Sequence, residues 1–69
     1  MYVGIVAQRG NDRASSLASS LRERLQTASV RVAVDRATAA ALDVAATPVD
    51  EFDTTDLVVS VGGDGTFLY

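Results

Sequence analysis

Two stretches of the chain are almost entirely apolar and rich in β-branched residues, Tyr2 to Ala7 and Leu57 to Val61. Runs of this kind are typical of strands that are buried on both faces of a parallel sheet. A third stretch, from Val30 to Val34, alternates valine with other residue types, among them Arg31. This alternation predicts a third strand with one face more exposed, placed nearer to a sheet edge.

The segments between these strands have a helical pattern. Asn11 or Asp12 is suited to cap a helix, and the residues from 13 to about 28 follow a helical hydrophobic period. The predicted apolar face of this helix consists of Ala14, Leu17, Ala18, Leu21, Leu25 and Ala28. The stretch from 36 to 46 is rich in alanine, which favours a second helix, and Pro48 disfavours its continuation.

The order strand, helix, strand, helix, strand defines the fold class. It predicts an α/β fold with a three-layer, Rossmann-like parallel sheet and right-handed crossovers. Loops at the carboxyl ends of such strands share one edge, where open α/β sheets bind ligands. A chain of 69 residues is near the lower limit for one stable domain, so one domain at most, or part of one, is expected.

The last predicted strand continues directly into a glycine-rich loop, predicted over residues 62 to 66, with the sequence Gly-Gly-Asp-Gly-Thr. Glycine adopts positive φ at little cost, and exposed amides in such a loop can hold phosphate or ribose oxygens. The spacing matches neither the dinucleotide-binding fingerprint nor a Walker A loop. Asp64, set between glycines at a strand end, is placed for a ligand, although an aspartate there can also stabilise a turn.

The composition narrows the chemistry that is open to the chain. Cysteine and histidine are absent, so acid–base chemistry falls to carboxylates, and thiolate nucleophiles and cysteine-bound zinc are excluded. Four carboxylates stand between positions 49 and 56, at Asp50, Glu51, Asp53 and Asp56. Their spacing does not fit a calcium-binding EF-hand loop, which predicts a solvated acidic connector and no metal site there.

Charge and hydropathy exclude several classes of partner. The net charge is −3, and the six basic residues, all arginine, form no basic stripe, which argues against nucleic-acid binding. The amino terminus lacks the pattern of a signal peptide, and no run approaches the ~20 apolar residues of a membrane span. The sequence therefore predicts a cytoplasmic protein that does not bind membranes.

The glycine-rich motif at residues 62 to 66 resembles the signature of a superfamily of kinases. This superfamily contains the NAD kinases, the diacylglycerol and sphingosine kinases and the ATP-dependent phosphofructokinases. Phe67 and Leu68, the apolar opening and the acidic stretch before the motif are similar to the amino-terminal part of NAD kinases. The acidic, lysine-free, alanine-rich composition resembles that of proteins from halophilic archaea. The resemblance implies that residues 1–69 are part of an amino-terminal nucleotide-binding domain, that a β-rich carboxyl-terminal domain is missing, and that the segment alone is inactive.

The resemblance also implies roles for individual residues. Asp64 corresponds to the aspartate that accepts the proton of the adenosine-ribose 2′-hydroxyl, which attacks the γ-phosphoryl group of ATP. The substrate-binding positions are Gly62, Gly63, Asp64, Gly65, Thr66 and Leu68. ATP, NAD and a divalent metal such as Mg²⁺ are the expected substrates and cofactor, and the complete enzyme is expected to be a homo-oligomer.

Arg9 and Arg13 are candidate phosphate contacts. If the first and third strands are parallel neighbours, the loop after Ala7 opens on the same edge as Gly62. Arg9 is then expected near the phosphates of the ligand, and Arg13 less directly. The alternative is that both are solvated arginines that balance Asp12.

Two other functions remain open from the residues. The first is a lipid kinase of the same superfamily. The second is a small α/β module that binds nucleotides or regulates without catalysis.

Overall fold

The computed structural model describes residues 1–62 in full and residues 65–68 as backbone. Within these residues, four strands and three helices follow one another. The strands are β1 (Tyr2–Ala7), β2 (Arg31–Val34), β3 (Leu57–Gly62) and β4 (Gly65–Leu68), and the helices are α1 (Asp12–Thr27), α2 (Arg36–Leu42) and α3 (Val49–Phe52).

The strands form a single sheet in the order β2-β1-β3-β4. β1 pairs in parallel with both β2 and β3, with Ile5 opposite Val34 on one side and Val59 on the other. The predicted α/β class with a parallel sheet is therefore confirmed. The prediction that the second strand lies nearer an edge than the first is also confirmed, because β2 ends the sheet and β1 is central.

A fourth strand was not predicted. β4 runs antiparallel to β3, with Gly62 opposite Gly65 and Val61 opposite Thr66. The prediction of one continuous loop over residues 62 to 66 is therefore wrong, since Gly62, Gly65 and Thr66 belong to strands. Antiparallel neighbours need only two residues between them in sequence, and two positions separate β3 from β4. A segment with three glycines in four positions can therefore still take part in strand pairing. Residues 63, 64 and 69 lie outside the described residues.

One face of the sheet carries the main core. Val3, Ile5 and Ala7 project from β1 onto this face and cluster with Ala14 and Ala18 of α1. The small alanine side chains allow the helix axis to approach the sheet closely. Leu21 and Leu25 extend the contact as partly buried residues.

The predicted apolar face of α1 is too wide by two residues. Leu17 is 50% exposed, and Ala28 lies beyond the last helical residue as its C-cap. At 100° per residue, Leu17 stands at the margin of the stripe that Ala14, Ala18 and Leu25 define. The sheet therefore covers the centre of the stripe and leaves its margin in solvent.

Phe52 lies against the opposite face of the sheet. Gly4 alternates with the core residues of β1, so a side chain at this position would project away from α1. A Cβ atom built at Gly4 would lie 2.9 Å from Cζ of Phe52 and 3.4 Å from Cγ2 of Thr55. The absence of a side chain at Gly4 lets the ring lie directly on the strand.

The connection between β2 and β3 differs from the prediction. The second helix was predicted over residues 36 to 46 but ends at Leu42, because Asp43 adopts a left-handed conformation with φ 57° and ψ 47°. Aspartate tolerates this conformation better than most residues, and a left-handed residue ends a helix by turning its backbone back toward the last carbonyls. The predicted acidic connector contains the short helix α3, and its four carboxylate residues are exposed as expected.

The amino-terminal edge of the sheet is fastened by polar contacts. The backbone N–H of Tyr2 donates to Oδ2 of Asp56 over 2.8 Å, and the N–H of Asp56 donates to the carbonyl of Tyr2 over 2.8 Å. The guanidinium of Arg31 lies 4.3 Å from the centre of the Tyr2 ring and 3.6 Å from Glu51 Oε1. These contacts lie at the end of the sheet opposite to the loops that follow β1 and β3.

Candidate functional site

The carboxyl end of β1 lies directly beside the carboxyl end of β3. Ala7 is opposite Val61, and one residue further the N–H of Gln8 donates to the carbonyl of Val61 over 2.8 Å. This bond extends the pairing past the end of β1 and up to Gly62. The loop after β1 and the start of the glycine-rich motif therefore share one edge, as the sequence predicts.

The loop between β1 and α1 is held by its own side chains. Oδ1 of Asn11 accepts from the N–H of Ala14 over 3.0 Å and caps α1, which confirms Asn11 as one of the two predicted caps. The side-chain amide of Asn11 also donates to Oε1 of Gln8 over 3.2 Å. Gly10 has φ +69°, a conformation that glycine adopts without strain. These hydrogen bonds within the loop fix its conformation beside Gly62.

Arg9 and Arg13 both stand at this edge with exposed side chains. Arg9 belongs to the loop after β1, and Arg13 lies in the first turn of α1. Within residues 1–62 the ion pair is that of Arg31 with Glu51, so the proposed balance between these arginines and Asp12 involves no direct ion pair there. Both guanidinium groups are thus available to an anionic ligand.

A buried threonine supports the end of β1 and was missed from the sequence. Oγ1 of Thr38 accepts the N–H of Ala7 over 2.9 Å, and Thr38 is only 1% exposed. The contact links α2 to the strand residue that precedes Gln8. Thr38 is the one polar residue of α2 after Arg36 at its start, and that contrast with its alanine neighbours was the available signal.

The carboxyl end of β2 borders a cleft that the sequence reasoning also missed. The cleft has a volume of about 490 Å³ and is lined by Asp35, Arg36, Ala46, Thr47, Pro48, Val49 and Phe52. Oδ1 of Asp35 is buried and has no hydrogen-bond partner in the described structure. The available signal was a carboxylate placed immediately after a strand, at the edge where open α/β sheets bind ligands.

The motif itself is described only in part. Gly62 ends β3 and is half-buried, and Gly65 begins β4. Gly63 and Asp64 lie outside the described residues, as do the side chains of Thr66 and Leu68. The described residues contain no group of three or more carboxylates that could hold a metal ion. The described part thus offers no carboxylate cage for a divalent metal.

The fold and the position of the glycine-rich segment define a class of protein. A parallel sheet with a glycine-rich segment at the carboxyl end of a central strand is typical of open α/β folds that bind ligands at that edge. Two exposed arginines border the same edge.

Several curated proteins are similar to the chain along its whole length. It is 56% identical to an NAD kinase of Haloarcula marismortui over 78 aligned residues and 57% identical to an NAD kinase of Halobacterium salinarum over 72. An NAD kinase of Halorubrum lacusprofundi is 46% identical over 71 residues. All of this chain is covered in each case, but it spans only 28%, 26% and 26% of these relatives. The predicted resemblance to NAD kinases of halophilic archaea is confirmed.

Two further comparisons gave no match. No protein-family model and no solved structure matches the chain. In the part of the chain that the structure describes, no helix has the length and apolar character needed to cross a membrane.

Proposed function

We propose that this chain is a nucleotide-binding segment of an NAD kinase. In the complete enzyme it takes part in the transfer of the γ-phosphoryl group of ATP to the adenosine-ribose 2′-hydroxyl of NAD. The observation that carries the proposal is similarity along the whole chain to proteins named NAD kinase, at 46–57% identity. Residues 1–69 then form part of the amino-terminal domain.

The position of the motif supports this proposal. β3 is paired with β1 up to Val61, and Gly62 follows at the carboxyl edge of the parallel sheet. The rigid pairing fixes where the motif begins, and phosphoryl transfer depends mainly on such positioning and on charge stabilisation. Glycines at this edge allow a nucleotide to approach the backbone closely.

Asp64 is the proposed proton acceptor. Its carboxylate takes the proton of the ribose 2′-hydroxyl as the oxygen attacks the γ-phosphorus of ATP, and ADP leaves as the bond to its β-phosphate oxygen breaks. Histidine is absent from the chain, which leaves carboxylates as the acid–base groups of this segment. Arg9 is the proposed contact for the phosphates, because guanidinium groups bind phosphate oxygens in a bidentate manner.

A divalent cation such as Mg²⁺ accompanies the proposed reaction. In nucleotide sites this ion is held largely by phosphate oxygens and water, with only one or two carboxylates from the protein. The described residues do not form a carboxylate cluster for it.

The test is an assay of NADP formation by the complete enzyme with NAD and ATP. Asp64→Asn is expected to lower kcat by about 10²–10⁴-fold with little loss of NAD affinity, as expected for removal of a general base. The matched control is Asp50→Asn, which makes the same change at an exposed position of α3. A kcat for Asp64→Asn within a factor of about three of the wild type would refute the catalytic assignment.

Assays of the same enzyme with other substrates separate the NAD kinase from the lipid kinase and from the non-catalytic module. Phosphorylation of diacylglycerol instead of NAD would indicate a lipid kinase, and nucleotide binding without any phosphoryl transfer would indicate a non-catalytic module. Parallel reactions with polyphosphate and with NADH identify the donor and the preferred acceptor. The homo-oligomeric state of the complete enzyme, its cytoplasmic location and the inactivity of the isolated segment stay predictions.

A further inference from the structure

The carboxyl end of β1 extends beyond its neighbour β2. The last residue pair between the two strands is Ile5 with Val34, whereas β1 continues to Ala7. The N–H of Ala7 therefore finds no acceptor in β2, and it donates instead to Oγ1 of Thr38 over 2.9 Å. A side chain of α2 thus takes the place of the backbone carbonyl that a longer β2 would have supplied.

The following N–H of the chain is held on the other side of β1. Gln8 donates to the carbonyl of Val61 in β3 over 2.8 Å, immediately before Gly62. The end of β1 is therefore fixed between α2 and β3 just before the loop that carries Arg9. Water is not available to replace the hydroxyl, because Thr38 is 1% exposed and Ala7 6%.

A second threonine holds the end of β2 in the same way. Oγ1 of Thr47 accepts the N–H of Val34, the last residue of β2, over 3.1 Å. The N–H of Thr47 also donates to the carbonyl of Val34 over 3.0 Å. In the sheet order β2-β1-β3, strand β1 separates β2 from Gly62. The two hydroxyls thus make the same kind of hydrogen bond, but only that of Thr38 holds a strand whose end borders the glycine-rich motif.

We propose that Thr38 is a positioning residue of the nucleotide site. It acts through the backbone of Ala7 and Gln8, and it sets the position of the loop that carries Arg9 relative to Gly62. The hydroxyl of Thr47 supports the fold without this effect on the site. The proposal rests on the proposed binding of nucleotides at the edge that β1 and β3 share.

Steady-state kinetics of the complete enzyme, together with calorimetric titration with NAD and with ATP, tests the proposal. Thr38→Val keeps the shape of the side chain but removes the acceptor, so the N–H of Ala7 reaches a new partner only if the strand end moves. The KM for at least one of the two nucleotides is expected to rise about threefold or more, since small displacements of binding groups have large effects. The change in kcat is expected to be smaller, because the hydroxyl acts on the loop and not on the proposed proton acceptor.

Two further variants separate positioning from stability. Thr38→Ser restores the hydroxyl and is expected to return KM close to the wild-type value. Thr47→Val is the matched control: it is expected to lower the urea midpoint, because it also leaves a backbone N–H without its acceptor, but not to change KM. All assays are made at a temperature at which circular dichroism shows every variant to be folded. If Thr38→Val does not fold, Thr38→Ala removes the same acceptor without adding a methyl group in its place, and the same rise in KM is expected.

Several results would overturn the role of Thr38. They are unchanged KM and nucleotide affinity in the variant that lacks the hydroxyl, equal increases in that variant and in Thr47→Val, and an increase that Thr38→Ser does not reverse.

The kinase proposal and the role of Thr38 can fail separately. NADP formation by the wild type tests the kinase function, whereas the calorimetric affinities need no turnover. A wild type that binds nucleotides but forms no NADP would refute the kinase function, and the affinities of the variants would still decide the role of Thr38. A wild type that binds neither nucleotide would refute both.

Discussion

Thr38 accepts the backbone N–H of Ala7 through its Oγ1 atom over 2.9 Å, at a position that is almost completely buried. The bond fixes α2 against the last residue of β1. The next residue, Gln8, pairs with Val61 immediately before Gly62. A buried hydroxyl thus sets the position of the strand end from which the candidate site begins.

Removal of this hydroxyl is expected to destabilise the protein. Thr38→Val keeps the shape of the side chain but leaves the buried N–H of Ala7 without an acceptor, at a cost of about 1–3 kcal/mol in the free energy of unfolding. Thr38→Ser should retain most of the stability. Urea denaturation measures both, with exposed Thr27→Val as the control, for which a change below ~0.5 kcal/mol is expected. Equal stability of Thr38→Val and the wild type would contradict the assigned role.

Gly4 and Phe52 are expected to be energetically coupled. Gly4→Ala introduces a Cβ atom 2.9 Å from the Phe52 ring, and the resulting displacement should cost about 1–3 kcal/mol. In a Phe52→Leu background the same substitution should cost clearly less, since the obstructing ring is gone.

Gly10→Ala is the control for this double-mutant cycle. It is expected to cost about 1–2 kcal/mol through its φ of +69°, with no atom within 4 Å of the added Cβ. That cost should be the same in both backgrounds. Additive effects of Gly4→Ala and Phe52→Leu would mean that the ring is free to move aside.

The glycines of the motif are expected to be necessary for nucleotide binding. Gly63→Val or Gly65→Val introduces a branched side chain into the glycine-rich motif, and such a side chain tolerates positive φ poorly and is expected to obstruct the approach of a ligand to the backbone. Calorimetry with NAD on the complete enzyme should show loss of binding in both variants. Unchanged NAD affinity in either variant would limit that glycine to a structural role.

The three arginines near the ends of the sheet should differ in their effect on catalysis. Arg9→Ala is expected to raise the apparent KM for a nucleotide several-fold, because the side chain stands exposed at the edge shared with Gly62. Arg13→Ala should have a smaller effect, and Arg31→Ala little, since Arg31 contacts Tyr2 and Glu51 at the opposite edge. Similar, negligible changes in KM at all three positions would favour the interpretation that Arg9 and Arg13 are solvated arginines without a role in binding.

The sequence predicted the parts of the fold that depend on local pattern. The apolar runs and the helical period of α1 correspond to β1, β3 and α1 within one or two residues at most boundaries. The end of α2 was missed because it depends on the backbone conformation of Asp43, and no glycine or proline marks that position. Strand β4 was missed because it is defined by its pairing with β3, and a glycine-rich sequence has none of the residue preferences that predict a strand.

The candidate site, like the fold, was predicted only in part from the sequence. The shared edge of β1 and β3 followed from the predicted strand order, and the Gln8–Val61 hydrogen bond confirms it. Thr38 and Asp35 could not be placed in advance, because their importance depends on what α2 and the segment after it approach in three dimensions. Residue types alone predicted where a ligand could bind, but not which side chains support that place.

The contacts of Tyr2 with Asp56 and Arg31 have a practical consequence for handling the protein. They place the first strand residue at the amino edge of the sheet, and Met1 before it is 78% exposed. β1 is six residues long, so about 20 Å separates this end from the loop after Ala7. An affinity tag or surface attachment joined to Met1 would therefore face away from the glycine-rich edge and leave it open to nucleotides in solution.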